Sequence, residues 1–571
     1  MTSETEANVE VGPKPSTLQA LLVYLERRSL VMLALGFAAG LPNLLIFDTL
    51  SAWLRDAGLS LEVIGFFSLA TLAYSLKFIW APLVDRTTIP GLSRLLGHRR
   101  SWMLTMQALV IVGLWLIAGT DPAADLPRMA ILAVLVGFTA ATQDIVIDAW
   151  RIEAVDESRQ GAMAAAYQWG YRIAMIVAGA VPLILADQYG WNLSYAVMAG
   201  LMGVGVAGVL FAPREKAHTV RPIPVGDVRS RPALEWVEWL VRLAIILIAA
   251  LIIGSGLTGQ TDLLTGLLGS PAALEPVTAA WESSEVGVFV QFAAVIVGFA
   301  LLVAACWPIP GFKTRPGAYL AGSFGAPMAD FFRRFAGVAG LILALICLYR
   351  VSDFVLNIMN PFYLDLGFTK TEVAEVRKVF GVIMSVVGVG LGGLAVARLG
   401  LMRSLIIGAF AGPLSNLVFA WLATQGPQLF ALFVAIGVDN IASGFAGTCL
   451  IAYMSSLTSA GFTATQYALF SSLYALPGKL IASQSGRIVE SSARAADAGG
   501  FTAPLKSLFN ALPPQALAEG AAKTAVTPAA LGSGYITFFL YSTLIGIAAI
   551  ILSFIVAARQ PKVVQAVKQT T

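Results

Sequence analysis

Charge is scarce in this chain. Of its 571 residues only 12% are Asp, Glu, Lys or Arg, against roughly a quarter in soluble domains. Hydrophobic residues make up 57%, and the mean hydropathy is +0.78. That balance excludes an ordinary soluble domain. Histidine is nearly missing: His98 and His218 both fall in polar segments, and no HExxH occurs. A hydrolase built on imidazole is thereby set aside, because no ring nitrogen is placed to serve a nucleophile. The three cysteines, Cys306, Cys347 and Cys449, lie at or inside apolar runs without a C-x-x-C spacing. They read as small buried hydrophobes, with neither a disulfide framework nor a metal site expected. Residues 1–29 carry Glu4, Glu6, Glu10 and Glu26 and lack the basic start of a cleavable signal; 17–29 fits a short amphipathic helix on a membrane surface. The net charge of +4 is spread over many short segments. With no single basic patch, no nucleic-acid partner is expected.

Apolar run length, in contrast, is abundant. Fourteen stretches approach the roughly 20 residues that a helix needs to cross a bilayer: 30–53, 62–84, 102–120, 129–150, 162–186, 191–212, 238–256, 286–308, 336–359, 373–397, 404–424, 428–454, 463–486 and 534–557. The runs are continuous, not alternating, which selects helices over barrel strands. The expected class is an all-α membrane protein in contact with the lipid bilayer. Most Lys and Arg residues fall in segments on the side of the amino terminus, whereas the short loops opposite hold only Arg55, Arg128 and Lys370. Positive-inside bias then puts both termini in the cytoplasm.

The spacing of the runs divides the chain. A cytoplasmic segment, 1–29, precedes a six-helix bundle, 30–212; an insert with two extra spans, 213–335, follows; and a second six-helix bundle, 336–571, closes the sequence. Within the last, 487–533 is a long outer loop rich in Ala, Gly and Ser, read as a tether with a few helical turns near 503–511. An internal echo supports the halves. Ala81-Pro82-Leu83-Val84-Asp85-Arg86 and then Gly97-His98-Arg99-Arg100 follow the second span, and Gly393 to Arg398, Gly400 and Arg403 hold the matching place later. Both resemble the inner-loop signature of the major facilitator superfamily, G-x-x-x-D-R-x-G-R-[KR]. Ala81 replaces the leading Gly, ten residues separate Arg86 from Gly97, and Ala397 replaces the second Asp. Asp85, Arg86, Arg99 and Arg100 are candidates for a charge latch that gates the passage; the plainer reading is a basic loop obeying positive-inside bias. Gly36 and Gly40, and the cluster Gly388, Gly390, Gly392 and Gly393, suit close helix contact, static or sliding.

Carboxylates at membrane depth are costly and usually face water or a partner charge. Asp144 and Asp148 stand i, i+4 on one helix face inside 129–150. Asp148 precedes Arg151 by three residues, which favours a structural ion pair; Asp144, a turn deeper beside Gln143, is the preferred proton carrier. Further candidates for binding are Lys77, the shared face of Gln168, Tyr171 and Arg172, the i, i+3 pair Arg350 and Asp353, Asn357, and Asp439-Asn440. Lys479 follows Pro477-Gly478, read as a helix break that bares backbone toward a cavity.

Several segments resemble the AmpG-type muropeptide permeases: 37–54 (FAAGLPNLLIFDTLSAWL), 74–85 (YSLKFIWAPLVD), 141–151 (ATQDIVIDAWR), 360–368 (NPFYLDLGF), 439–457 (DNIASGFAGTCLIAYMSSL) and 463–486 (TATQYALFSSLYALPGKLIASQSG). The resemblance implies a major facilitator fold of two six-helix bundles, here with two extra central helices, in the inner membrane of a Gram-negative bacterium. It implies import of N-acetylglucosaminyl-anhydromuramyl peptides for peptidoglycan recycling, with proton symport as energy source and no cofactor. It also implies a link to β-lactamase induction in species with that circuit, and favours Gln143, Asp144 and Asp148. A monomer is expected. The alternatives are a carrier of another large anion, such as an acyl-CoA, and a membrane sensor of cell-wall fragments that does not transport. The insertion at 487–533 departs from the family pattern at the outer mouth.

Overall fold

A long apolar run buried in lipid has one local way to pair every backbone N–H and C=O, and that is a helix. The structure, a computed structural model, describes residues 22–58, 72–156, 159–215, 228, 231–258, 261, 271–282, 287–307, 309, 313–482, 485–513 and 515–570. Among these it holds helices and no strands, and twelve of the helices are long and apolar enough to cross a membrane.

The described residues open with a 3-10 turn, Val23–Leu25, and then α1 (Arg27–Asp56) and a short α2 (Ala81–Arg86). There follow α3 (His98–Ala118), α4 (Leu126–Ala154), α5 (Gln160–Tyr189) and α6 (Trp191–Phe211). The insert supplies α7 (Pro232–Thr258), α8 (Gly287–Cys306) and the short α9 (Ala326–Arg334). The second half runs through α10 (Ala339–Leu366, interrupted by a 3-10 turn at Val351–Asn357), α11 (Gly381–Leu399), α12 (Leu401–Gln425), α13 (Leu429–Ser456) and α14 (Thr463–Ala482). It ends with α15 (Ser485–Asp497) and α16 (Pro528–Thr570). Of the fourteen expected spans, 62–84 lies outside the described residues over 62–71, and its remainder forms short helices, Leu72–Leu76, Lys77–Ile79 and α2; 463–486 forms α14, which is not one of the twelve; the others correspond one to one.

Glycine sets how closely the helices approach. A Cβ on Gly36 would stand 2.2 Å from the Tyr167 carbonyl oxygen, and one on Gly170 only 1.9 Å from that of Leu33, so α1 and α5 meet backbone to backbone. In the second half a Cβ on Gly388 would stand 2.2 Å from the Ile441 oxygen, where α11 meets α13. The two signature loops share a device as well: Gly97 and Gly400 precede α3 and α12 with φ of 96° and 85°, a region costly for any residue with a Cβ.

The insert helices pair with each other and lean on the core. Gly298 lets α8 approach the Ala249 carbonyl of α7, and Phe299 stacks on Phe78 with ring centroids 5.7 Å apart. Two readings of the sequence need correction. Residues 487–533 are not a tether: α15, a 3-10 turn at Ala503–Phe509 and a helix at Ala518–Thr524 fold into a cap, and α16 already begins at Pro528. Its sparse apolar residues, Val489, Phe509 and Leu517, are buried against Phe362, Tyr363 and Phe539. Nor does Pro477-Gly478 break its helix; α14 runs through both. In lipid, neighbouring helices tolerate such a proline.

Candidate functional site

A cavity of about 720 Å³ lies between the halves. From the first half α1 presents Asn43, the segment before α2 presents Tyr74 and Lys77, α4 presents Asp144 and Asp148, and α5 presents Tyr167, Gln168, Tyr171 and Arg172. From the second half come Arg350, Gly447, Tyr467, Ser471 and Tyr474. Helical spacing does the aligning: 144 with 148, and 167 with 171, lie one turn apart on faces turned toward the same space.

Lys77 and two carboxylates form its charged wall, and a second cation, Arg151, stands buried behind them. Lys77 Nζ stands 3.9 Å from Asp144 Oδ2 and 3.7 Å from Asp148 Oδ2. Asp148 is held a second time, by Arg151 Nη2 at 3.3 Å. Arg151 also donates to Ser455 Oγ at 2.9 Å and lies over the Tyr467 ring, so it is anchored from both halves. Asp144 has a looser hold. It is 7% exposed, and its Oδ1 makes no close hydrogen bond among the described residues; the Tyr167 hydroxyl is a donor beside it. Leaving a buried acceptor without its hydrogen bond costs about 1–3 kcal/mol, and more for a charged one. A proton or a ligand donor would relieve that cost.

The opposite wall is cationic. Arg350 is tied to Asp353 on its own helix and to Ser443 Oγ at 2.8 Å. Arg172 makes no hydrogen bond or ion pair with any described residue and points at the same cavity, within the electrostatic reach of Arg350, Tyr171 and Asp439. The space that admits them is cut by Gly447: a Cβ there would lie 3.0 Å from Arg350 Nη1 and 3.4 Å from Gln168 Oε1. Gln168 reaches across the halves to Thr448 Oγ1 at 2.7 Å.

Several expected site residues stand elsewhere. Gln143 is buried between α4 and α1, donating to the Ala38 carbonyl at 2.9 Å, because its place on α4 is a quarter-turn from the Asp144 face. Asp439 accepts from Ser415 at 3.0 Å, and Asn440 bonds back to Ile436 of its own helix; neither lines the cavity. Asp353 serves Arg350. The side chains of Asn357 and Lys479 lie outside the described residues. Sequence reasoning passed over the tyrosines Tyr74, Tyr167, Tyr467 and Tyr474. For Tyr167 a signal was available, its i, i+4 relation to Tyr171; the others meet only through tertiary packing. Among the described residues no group of three His, Cys, Asp or Glu is placed to hold a metal ion.

The signature loop forms a clasp at the end of the molecule that bears the basic loops. Asp85 Oδ1 takes Arg99 Nη2 at 2.8 Å and the Ala464 amide at 3.2 Å. Its Oδ2 takes the Thr465 amide at 2.9 Å and the Thr465 hydroxyl at 2.7 Å. A carboxylate of the first half thus caps the N-terminus of α14, where the helix dipole and free amides favour an anion. Fully buried Arg99 also takes both oxygens of Glu153, at 2.7 and 3.1 Å. Glu215 caps α3 through the Arg99 amide, at 2.8 and 3.0 Å, in the space Gly97 leaves open. Burial raises the Glu215 pKa against the opposing effect of those amides and of Arg99. Of the other two latch candidates, Arg86 donates to the Gly322 carbonyl and Arg100 to those of Val209 and Leu210. The second copy, with Ala397 in place of Asp, brings no carboxylate to α5; Val396 and Gly393 pack on Gly161 there instead.

Comparison with known proteins places this architecture. Residues 32–299 match the family model described as Major Facilitator Superfamily. An anhydromuropeptide permease of Escherichia coli (strain K12) is 30% identical over 475 residues, covering 83% of this chain and 76% of that protein. Putative transporter AmpG 4 of Rickettsia conorii is 29% identical over 470 residues, 82% of this chain and 91% of its own. Among solved structures, the proton:xylose symporter XylE bound to 6-bromo-6-deoxy-D-glucose superposes with a TM-score of 0.52 at 11% identity, over 92% of this chain and 94% of that one, a likeness of fold.

Proposed function

Because the chain belongs to the anhydromuropeptide permease family of the major facilitator superfamily, we propose that it carries anhydromuropeptides across the inner membrane, into the cytoplasm, by proton symport. It is a transporter rather than an enzyme, and a multi-pass membrane protein. The observation that carries the mechanism is the unequal hold on two carboxylates: Asp148 has two cations, Asp144 a shared one.

The basic loops face the cytoplasm in this reading, both termini with them. The hydrogen bonds joining the halves gather toward that side, at Asp85–Thr465, Arg151–Ser455 and Tyr24–Gly390. The cavity therefore faces the periplasm and receives ligand there. Carboxylates of the peptide meet Arg172, which has no hydrogen bond or ion pair with a described residue to give up; sugar hydroxyls and amides meet Asn43, Gln168 and the tyrosines. Protonation of Asp144 removes one negative charge and leaves Lys77 to Asp148, so the wall gains one uncompensated positive charge, which a substrate carboxylate balances; loading by proton and by substrate are thereby coupled. Release of the Asp85 clasp then opens the cytoplasmic side as the two bundles rock.

Proteoliposomes containing the purified protein test this with labelled N-acetylglucosaminyl-anhydromuramyl peptide. Accumulation that rises several-fold under an inward proton gradient and collapses with an uncoupler is the expected result. Equal uptake without a gradient would remove proton coupling. Saturable binding without accumulation would make the protein a sensor, and stronger competition by an acyl-CoA than by unlabelled muropeptide would change the substrate class.

A further inference from the structure

A second cavity, of about 600 Å³, lies apart from the passage, where the two insert helices meet the core. Its walls come from four parts of the chain. Phe78 and Ile79 precede α2; Ile246 of α7 with Phe299, Leu302 and Val303 of α8 form the insert side. Phe324 and Met328 belong to the turn Ala321–Gly325 and to α9, and Leu469 to α14. Nearly every lining group is apolar. The cavity is not sealed: Val303 is 57% exposed and Trp307 is 64% exposed, so its α8 side is continuous with the surface that lipid tails wet.

The segment that supplies part of its wall is basic. From 307 to 334 the chain holds Lys313, Arg315, Arg333 and Arg334 against a single acid, Asp330; Glu238 of α7 accepts from Thr314 between them, and Arg315 donates to the Val228 carbonyl. Arg86 donates to the Gly322 carbonyl within the turn that makes one wall. Trp307, apolar in body and polar at its edge, stands at the same level, where tryptophans anchor membrane proteins. An apolar slot open to the bilayer beneath a cationic collar fits one occupant by its two-part chemistry, an acyl chain below and a phosphate above.

We propose that this slot is a binding site for an anionic phospholipid of the leaflet at the basic end, with an acyl chain between α8 and α14 and the headgroup at Lys313 and Arg315. The site gives the two insert helices a task. Thr465 and Gln466 line it as well, and they belong to the turn that Asp85 caps. Gln466 in turn donates to the Pro327 carbonyl at 2.8 Å, tying α14 to α9. A lipid chain seated there fills the gap between the insert, the linker and α14 while the clasp is closed, and so favours the clasped state. The inference stands on a cavity outside the transport path and does not depend on the substrate proposed above.

The test uses the full-length wild-type protein, delipidated and then reconstituted with phosphatidylglycerol bearing a photoreactive group on one acyl chain, and with the phosphatidylcholine analogue. Irradiation followed by peptide mapping should place phosphatidylglycerol cross-links on residues 299–307 and 324–328, at least five-fold above those of phosphatidylcholine. Cross-links spread evenly over outward faces such as Trp236 and Phe289, or equal labelling by the two lipids, would overturn the proposal. In native mass spectrometry the double variant Lys313→Gln, Arg315→Gln should lose the preference for phosphatidylglycerol. Because Lys313 is exposed and Arg315 only half-buried, this variant keeps the core intact; an unchanged preference in it would also count against the site.

Discussion

The Asp85 carboxylate caps the first turn of α14 at Thr465, 380 residues away in the chain, through the amide at 2.9 Å and the hydroxyl at 2.7 Å. The same carboxylate holds Arg99 at 2.8 Å, so one acid joins the first half, the second half and the signature arginine. A hydrogen bond to a charged group contributes about 1.5–3 kcal/mol, and the bonds to α14, unlike the pair with Arg99 inside the first half, are lost only when the halves part. Asp85→Asn should therefore shift the protein toward the form open at the basic end by about a hundredfold. Cysteines placed in the cytoplasmic half of the passage should react faster with a membrane-impermeant thiol reagent, and net uptake should fall. Thr465→Val, which keeps the amide, should do the same more weakly.

Asp144→Asn separates proton coupling from binding. Asparagine keeps size and burial but cannot give up a proton, and it leaves Lys77 to Asp148 permanently. Gradient-driven uptake should fall below a few per cent of wild type, with membrane expression unchanged. Exchange of labelled for unlabelled substrate across the vesicle membrane, which needs no net proton movement, should persist. Uptake at the wild-type rate would take Asp144 out of the mechanism.

Arg172 offers a charge that no described residue holds by a hydrogen bond or close ion pair, beside Arg350, which Asp353 already neutralises. A charge-assisted hydrogen bond contributes about 1.5–3 kcal/mol. Arg172→Gln should then raise the apparent KM for a peptide-bearing substrate by about ten- to a hundredfold while leaving a peptide-free disaccharide within a few-fold of wild type. Initial-rate uptake with the two substrates measures both. Arg172→Lys should recover part of the loss.

How much of this was legible beforehand depends on the range of the interaction. Asp144 and Asp148, or Gln168, Tyr171 and Arg172, are brought together by one helix, and helical periodicity alone groups them. Lys77 stood out as a cation in an apolar run. Thr465, Tyr467 and Ser455 have no such mark; their roles arise because α14 and α13 pack beside α2 and α4, a relation no local pattern encodes. Composition misled at 487–533, where Ala, Gly and Ser resemble a linker although Phe509 and Leu517 are buried in the second half's core. Gln143 shows the limit of adjacency: next to Asp144 in sequence, it turns to the Ala38 carbonyl of α1.

The close approach of α1 and α5 leaves no room for a methyl group. A Cβ on Gly170 would stand 1.9 Å from the Leu33 carbonyl oxygen and 2.7 Å from the Phe37 amide, both backbone atoms that cannot swing away. Gly170→Ala must part the helices that position Asn43, Tyr171 and Arg172. Overpacking of this kind costs about 1–3 kcal/mol. The variant should show a lowered melting temperature in detergent and impaired substrate binding, whereas Gly200→Ala, with open space at its Cβ, should behave as wild type.

Asp330 makes the clasped end sensitive to acid. It lies on α9, outside the spans, and accepts from Ser459 Oγ at 2.7 Å, Arg334 Nε at 2.9 Å and Gln466 Nε2 at 3.3 Å. Burial pushes its pKa up, but these donors and the Arg334 charge outweigh that and hold it below the ordinary carboxylate value. A depressed folded-state pKa means the anion is favoured by folding. Its contribution is fully present above the usual carboxylate range and is lost as pH falls through the folded pKa. Residues 457–466, which these bonds fasten to α9, should exchange amide hydrogen slowly at pH 7 and faster below the usual carboxylate range, after correction for the intrinsic pH dependence of exchange. Asp330→Asn should show the faster exchange already at pH 7 and no further change on acidification. Equal protection in the variant and wild type at neutral pH would show that Gln466 and Pro327 hold the loop without the acid, and that α9 is a passenger on α14 rather than its fastening.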